Sequence, residues 1–319
     1  MIDGMSQQPD ISVVIPCRNE EANAAGIAAA VIAELERAAV SFELIFIDNG
    51  STDRTVPIIQ EICARDLRVR LIVNTRNFGQ MRSPTHGIFA ASGRAVIGMC
   101  ADFQDPPALI GAFVARWRAG VPIVLGVRES EQTTRSLGFL REAFYRFMTS
   151  FNDHPVIPNA TGFGLYDRKV VDAIAAMNEP EPFFRGMLVE TGFPIEVIPY
   201  ARPLRAGGKS NNNFFTLIDF ALSGLASSSK KLVRLPMVVG LVIGILAGLC
   251  VLASLIAAVL DRSWAGWLVA AAVEAQLALL FLFIGLLGDR VRLISERTRR
   301  TPLVIEQERI NFPADRAIR

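Results

Sequence analysis

Histidine is nearly absent, with two residues in 319, and lysine is rare, with four. The four cysteines, Cys17, Cys63, Cys100 and Cys250, form no CxxC pair and have no histidine at ligand spacing, which excludes a zinc site and a disulfide framework. They read as isolated, reduced thiols. No GxGxxG follows the first apolar strand, and Gly162-Phe163-Gly164 comes too late in the chain, so a dinucleotide dehydrogenase is disfavoured. The net charge of +2 gives no case for nucleic acid. The opening MIDGMSQQPD lacks a basic stretch followed by an apolar one, so no export of the N-terminal region is expected.

Apolar residues are abundant: 51% of the chain, with a mean hydropathy of +0.35. The excess collects after Leu232, and this excludes a disordered or collagen-like chain. Leu235 to Leu260 carries no charge, and at 1.5 Å per residue it reaches roughly 39 Å, enough to cross a bilayer. A second run, Trp264 to Gly288, follows the connection Asp261-Arg262-Ser263, with Trp264 and Trp267 at an interfacial position. The pattern predicts transmembrane helices over 235–260 and 264–288, paired as a hairpin. Lys230, Lys231 and Arg234 before it, and Arg290, Arg292 and Arg297 after it, predict a multi-pass inner-membrane protein with both termini cytoplasmic. Gly240, Gly244 and Gly248 would let copies associate through these helices, and Glu274 with Gln276 interrupts the second run. Residues 213–232 read as an amphipathic helix lying on the lipid bilayer, and 289–319 as a basic tail.

Residues 11–212, after a polar tail over 1–10, read as a single α/β domain. Short apolar runs at Ile11–Ile15, Phe42–Ile47, Val69–Val73, Ala95–Met99 and Pro122–Gly126 alternate with helical patterns. In the first helix Ala24, Ile27, Ala28, Val31 and Leu35 share one face. This alternation predicts a mostly parallel sheet covered on both faces, with ligands at the carboxyl ends of its strands.

Polar clusters fall at those ends. Pro16-Cys17-Arg18-Asn19-Glu20-Glu21 follows the first strand, Asp48-Asn49-Gly50-Ser51-Thr52-Asp53 the second, and Cys100-Ala101-Asp102-Phe103-Gln104-Asp105 the fourth. Asn19, Asp53 and Asp105 fit helix-capping positions. Asp48 and Asp102 close apolar strands and open no helix, so a ligand is the better reason for a carboxylate there.

These segments resemble the family-2 glycosyltransferases, and within them the polyprenyl-phosphate sugar transferases. The resemblance rests on VVIPCRNEE at 13–21, IDNGSTDRT at 47–55, RNFGQ at 76–80, CADFQDPP at 100–107, LYDRKVVDA at 165–173, FFRGM at 183–187 and RAGGKS at 205–210, together with the paired apolar runs. It implies a GT-A fold binding a nucleotide-sugar donor. Pro16, Arg18 and Glu20 would line the base and ribose near Asp48, with Ala101 beside them. Asp102, the second acid of the family's Asp-x-Asp, would hold Mg²⁺ or Mn²⁺ with Gln104, and Arg128 would reach the diphosphate. Three positions depart from the pattern. Cys100 stands for the first aspartate, Asn49 for the second acid of its turn, and Thr161-Gly162-Phe163-Gly164 for Gly-Asp-Phe-Arg. A thiol with a pKa near 8.5 is mostly protonated at neutral pH and its soft sulfur suits neither ion, which leaves Cys100 as a packing or pocket-wall residue.

The implied reaction is inverting transfer of a sugar to a polyprenyl phosphate by a membrane-anchored enzyme. Its nucleophile is already an anion, which agrees with the scarcity of histidine. Arg205 and Lys209, in a glycine-bearing loop, are placed in sequence to bring the two phosphates together as catalytic cations. Two other readings stand beside it: an inactive scaffold binding nucleotide-sugar or lipid, and transfer to another lipid-linked acceptor.

Overall fold

A computed structural model describes residues 8–129, 157, 160–201, 265–299 and 302–313. Strands β1 (Ile11–Cys17), β2 (Phe42–Asp48), β3 (Val69–Asn74), β4 (Ala95–Gly98) and β5 (Ile123–Arg128) fall on the five apolar runs. Three further strands are β6 (Ala160–Asp167), β7 (Ile195–Tyr200) and β8 (Glu306–Ile310). Among the described residues the sheet order is β7-β5-β6-β4-β1-β2-β3-β8. Strands β1 to β4 are mutually parallel where they pair, whereas β6 runs antiparallel to β4 and β5, and β8 antiparallel to β3. The sheet is therefore mixed.

Helices cover both faces. On one lie α1 (Ala24–Arg37), α2 (Thr55–Arg65) and α4 (Ile110–Arg118), and on the other α3 (Gly79–Ala90), α5 (Arg168–Ala176) and α6 (Phe184–Glu190). The apolar face expected for α1 is the one it buries, at Ala24, Ile27, Ala28, Val31 and Leu35. Chain order reverses at β1, which has β2 on one side and β4 on the other. Such a reversal parts the loops at the carboxyl ends and opens a crevice there.

The C-terminal strand is fastened to the outer side of β3. Thr75 N donates to Ile305 O at 3.0 Å, and Asn311 Nδ2 donates to Cys63 O and Val69 O at 2.8 Å. Glu306 accepts from His86 of α3 and from Arg309 Nη2, the latter at 2.6 Å. Burial opposes the Glu306 charge, but the hydrogen bonds from His86 and Arg309 outweigh it and hold the carboxyl at about 2, below its ordinary 4.5. A depressed acid stabilises the fold above its unfolded pKa and loses that contribution as pH falls through the folded one. The urea midpoint should therefore drop between about pH 4.5 and about 2. Glu306→Gln should flatten this segment of the profile, and an unchanged slope would count against the pairing.

Helix α7 (Ala265–Arg299) contains the second apolar run from Ala265 onward. Among the described residues no helix is long and apolar enough to cross a membrane. Glu274 and Gln276 interrupt the run, and the helix continues unbroken through Asp289, Arg290, Arg292, Glu296 and Arg297. The expected transmembrane hairpin is corrected on this finding. The lipid bilayer as a partner, association of copies through the spans, membrane anchoring of the enzyme and a multi-pass inner-membrane location are corrected on the same finding. The apolar run 235–260 and the amphipathic segment 213–232 lie outside the described residues.

Candidate active site

The loops after β1 and β2 are laced to one another. Asn49 N donates to Cys17 O at 3.0 Å, Asn19 N to Ser51 Oγ at 2.9 Å, and Thr52 N to Asn19 Oδ1 at 2.8 Å. Glu21 N donates to Asp53 Oδ2 at 3.2 Å, and Arg54 N returns a bond to Glu21 Oε2 at 3.0 Å. Asn19 (φ 56°) is therefore no helix cap, since α1 begins at Ala24 after Asn23 and the Asn19 side chain reaches across to Thr52. Asp53 accepts from Thr55 N at 3.0 Å, just at the start of α2.

Asp48 closes β2 and is 1% exposed. Its Oδ2 accepts from Gly50 N and Ser51 N at 3.0 Å, and its Oδ1 from the Ser51 hydroxyl. The carboxylate thus has a structural task in bending the turn, whatever it contributes to a ligand. Gly50 takes φ +76°, and a Cβ on it would lie 2.8 Å from Asn77 N. The turn consequently sits directly on the 76–79 segment. Asn49 joins the two: its Nδ2 donates to Asn77 Oδ1 at 2.8 Å and Gly79 O at 3.0 Å, while its Oδ1 accepts from Phe78 N at 2.8 Å. An amide is needed here because a carboxylate has no hydrogen to donate. Asn49→Asp, which restores the acid the resemblance led us to expect, should lower stability by about 1–3 kcal/mol in urea unfolding. A neutral outcome would mean that the two acceptors find water.

Pro16 is half-buried in β1, Arg18 is exposed, and Glu20 is half-buried with its Oε2 accepting from Asn23 Nδ2 at 2.7 Å. All three lie on the same edge as Asp48. The segment after β4 forms the other wall of the crevice. There Ala101 is buried, and Asp102 is partly exposed, with its Oδ1 accepting from Gln104 N at 3.2 Å. Phe103 takes φ 59°, and its ring packs beside α1 so closely that a Cβ on Gly26 would lie 3.4 Å from it. Crowding by the surrounding protein, then the charges of Asp105 and Asp102, push the thiol of Cys100 well above its ordinary pKa, although the residue reaches solvent.

Asp105 departs most from expectation. It is 1% exposed and caps no helix. Its Oδ2 accepts from Cys100 N at 3.0 Å and its Oδ1 from Tyr200 Oη at 3.0 Å. Arg128 Nη2 stands 3.6 Å from Oδ1, and Arg128 Nε donates to Tyr200 Oη at 3.2 Å. Arg128 and Tyr200 are opposite one another at the ends of β5 and β7. Burial and the Asp105 charge raise the Tyr200 hydroxyl to about 12, so it remains a donor. Sequence reasoning missed Tyr200 altogether, because only the pairing of β7 with β5 brings it to the site. Arg205 and Lys209 lie outside the described residues.

An α/β sheet whose first, second and fourth strands end in acid-bearing loops at a topological reversal places a ligand crevice at the carboxyl ends of those strands. The family model for glycosyl transferase family 2 matches residues 12–175, and the chain belongs to that family. It is a glycosyltransferase related to the bactoprenol sugar transferases. An uncharacterized glycosyltransferase of Synechocystis is 31% identical over 303 residues, covering 93% of this chain and 94% of that protein. The bactoprenol glucosyl transferase of Shigella phage SfV is 33% identical over 232 residues, covering 72% of this chain and 76% of that protein. Among solved structures, glucosyl-3-phosphoglycerate synthase from Mycobacterium tuberculosis, in complex with Mn²⁺, UDP and glucosyl-3-phosphoglycerate, aligns with a TM-score of 0.49 at 19% identity, covering 68% of this chain and 78% of that one.

Proposed function

We propose that the enzyme transfers a sugar from a nucleoside diphosphate sugar to a polyprenyl phosphate, with inversion at the anomeric carbon. The observation that carries this reading is the joining of the β1 and β2 loops into one wall that faces the Asp102 loop across the reversal at β1. The relation to bactoprenol glucosyl transferases supports the choice of acceptor.

The residues divide into two groups. Pro16, Arg18, Glu20 and Asp48 line the nucleoside side of the crevice, with Ala101 opposite. Asp102 and Gln104 would hold Mg²⁺ or Mn²⁺. Among the described residues no three acidic, histidine or cysteine side chains cluster as a closed metal site. One carboxylate and an amide oxygen, completed by diphosphate oxygens and water, suit a hard cation of this kind. The ion would neutralise charge on the leaving diphosphate. Arg128, with five N–H groups, has donors beyond those it gives to Tyr200 and Asp105 and can add positive charge at the same point. Arg205 and Lys209 are assigned, from their place in the sequence, to bring the donor and acceptor phosphates together.

A phosphate monoester is already an anion at neutral pH and needs orientation more than a strong base. His86 agrees with this, since its imidazole is committed to Glu306 beside β8. Incubation of purified protein with UDP-, GDP- and dTDP-sugars, Mn²⁺ and undecaprenyl phosphate tests the proposal. The expected product is a glycosyl phosphoryl lipid from one donor class. Product from a lipid-linked sugar acceptor, with none from the lipid phosphate, would overturn the acceptor assignment.

A further inference from the structure

We propose that Asp105, Tyr200 and Arg128 form a clamp that fixes the 100–105 loop against the ends of β5 and β7, making Asp105 and Tyr200 positioning residues for the donor diphosphate. This inference rests on the assignment of that loop to the donor. The chain of bonds is continuous. Arg128 Nε donates to Tyr200 Oη at 3.2 Å, Tyr200 Oη donates to Asp105 Oδ1 at 3.0 Å, and Asp105 Oδ2 accepts from Cys100 N at 3.0 Å. Asp105 and Tyr200 are 1% and 5% exposed, so water does not compete well for these bonds.

The anchorage is rigid on the far side. A Cβ on Gly126 would lie 2.8 Å from the Phe163 ring and 3.1 Å from that of Tyr200, so both rings press on the β5 backbone. Phe163 meets Tyr200 edge to face at 5.6 Å and Phe113 of α4 at 4.9 Å. On the near side the loop needs such a hold. Phe103 sits in the left-handed region, a conformation that a non-glycine residue keeps only when its surroundings impose it. Asp102 lies between the two fixed points, Cys100 and Phe103, and its carboxylate direction follows from both. Tyr200 also ends the last strand before the sequence that carries Arg205 and Lys209.

The test uses the full chain and measures nucleotide binding rather than turnover. UDP, GDP and dTDP are titrated calorimetrically into wild type, Tyr200→Phe and Asp105→Asn at a series of Mn²⁺ concentrations, with thermal unfolding recorded for each protein. Tyr200→Phe keeps the ring on Gly126 and removes only the hydroxyl. In both folded variants the Mn²⁺ concentration giving half-maximal nucleotide binding should rise roughly tenfold or more, as expected for the loss of a hydrogen bond to a charged group. Should Asp105→Asn fail to fold, Tyr200→Phe decides. A lower unfolding temperature with an unchanged Mn²⁺ dependence would show a merely structural contact and overturn the clamp. Wild type that binds none of the three nucleotides would instead remove the donor assignment itself.

Discussion

Asp102→Asn is expected to lower turnover by roughly a hundred- to a thousandfold at fixed Mn²⁺ while leaving the unfolding midpoint nearly unchanged. The folding half of this expectation follows from geometry. Asp102 is partly exposed, and the bond it accepts from Gln104 N at 3.2 Å can equally be accepted by an asparagine carbonyl. The catalytic half follows from charge. The Cys100 sulfur is a soft donor poorly suited to Mg²⁺ or Mn²⁺, and Asp105 is committed to Cys100 N, Tyr200 and Arg128, so within this loop the assigned cation relies on the Asp102 carboxylate for its negative ligand. An amide oxygen carries no net charge, and the metal concentration needed for half-maximal rate should therefore rise as turnover falls. Raising Mn²⁺ should recover part of the lost rate. Wild-type kinetics in the asparagine variant would remove the metal role assigned here.

The contrast between Asp102 and Asp105 shows where sequence reading reaches its limit. Both acids lie within a few residues of the end of β4, and local pattern makes Asp105, before Pro106, the better helix cap. Its actual partners come from β5 and β7, and nothing near residue 105 announces them. Asp48 was legible as the acid that closes β2, but its backbone partners show that it also shapes its own turn.

The strands divide in a similar way. Strands β1 to β5 bury largely apolar runs between helix layers, interrupted in β2 by Glu43 and in β3 by Arg70, and such runs stand out in a sequence. Strand β8 reads Glu-Gln-Glu-Arg-Ile and has no such run, because it joins through backbone pairing along the outer side of β3. Strand β7 holds a proline one residue from its end, and β6 is broken by Gly162 and Gly164, so neither presents an uninterrupted apolar stretch. The hydropathy of the second apolar run points toward lipid on composition alone. Its polar interruptions and its continuation into the charged turns of α7 weigh against that reading.

The largest expected loss of stability lies at the opposite end of the sheet from the candidate site. Glu43, 1% exposed near the start of β2, accepts from Ser12 Oγ at 2.5 Å, Ser92 N at 2.6 Å and Ser92 Oγ at 2.9 Å, and pairs with Arg70 of β3. Ser12 Oγ in turn accepts from Gly93 N at 2.7 Å, so one carboxylate joins β1, β2, β3 and the turn leading to β4. Glu43→Ala would strand several donors and a cation whose Nε is already buried without a partner. Removing one member of a buried pair costs about 3–5 kcal/mol, and the urea midpoint should fall accordingly. Replacing both charges, as Glu43→Leu with Arg70→Met, should recover only the part of that loss due to the unpaired guanidinium, because the Ser12 and Ser92 donors remain without their acceptor. Turnover per folded molecule should be unchanged in either variant, since the network lies at the amino ends of the parallel strands. A loss below about 1 kcal/mol for Glu43→Ala would mean that the Arg70 guanidinium swings out to water, its side chain being 17% exposed.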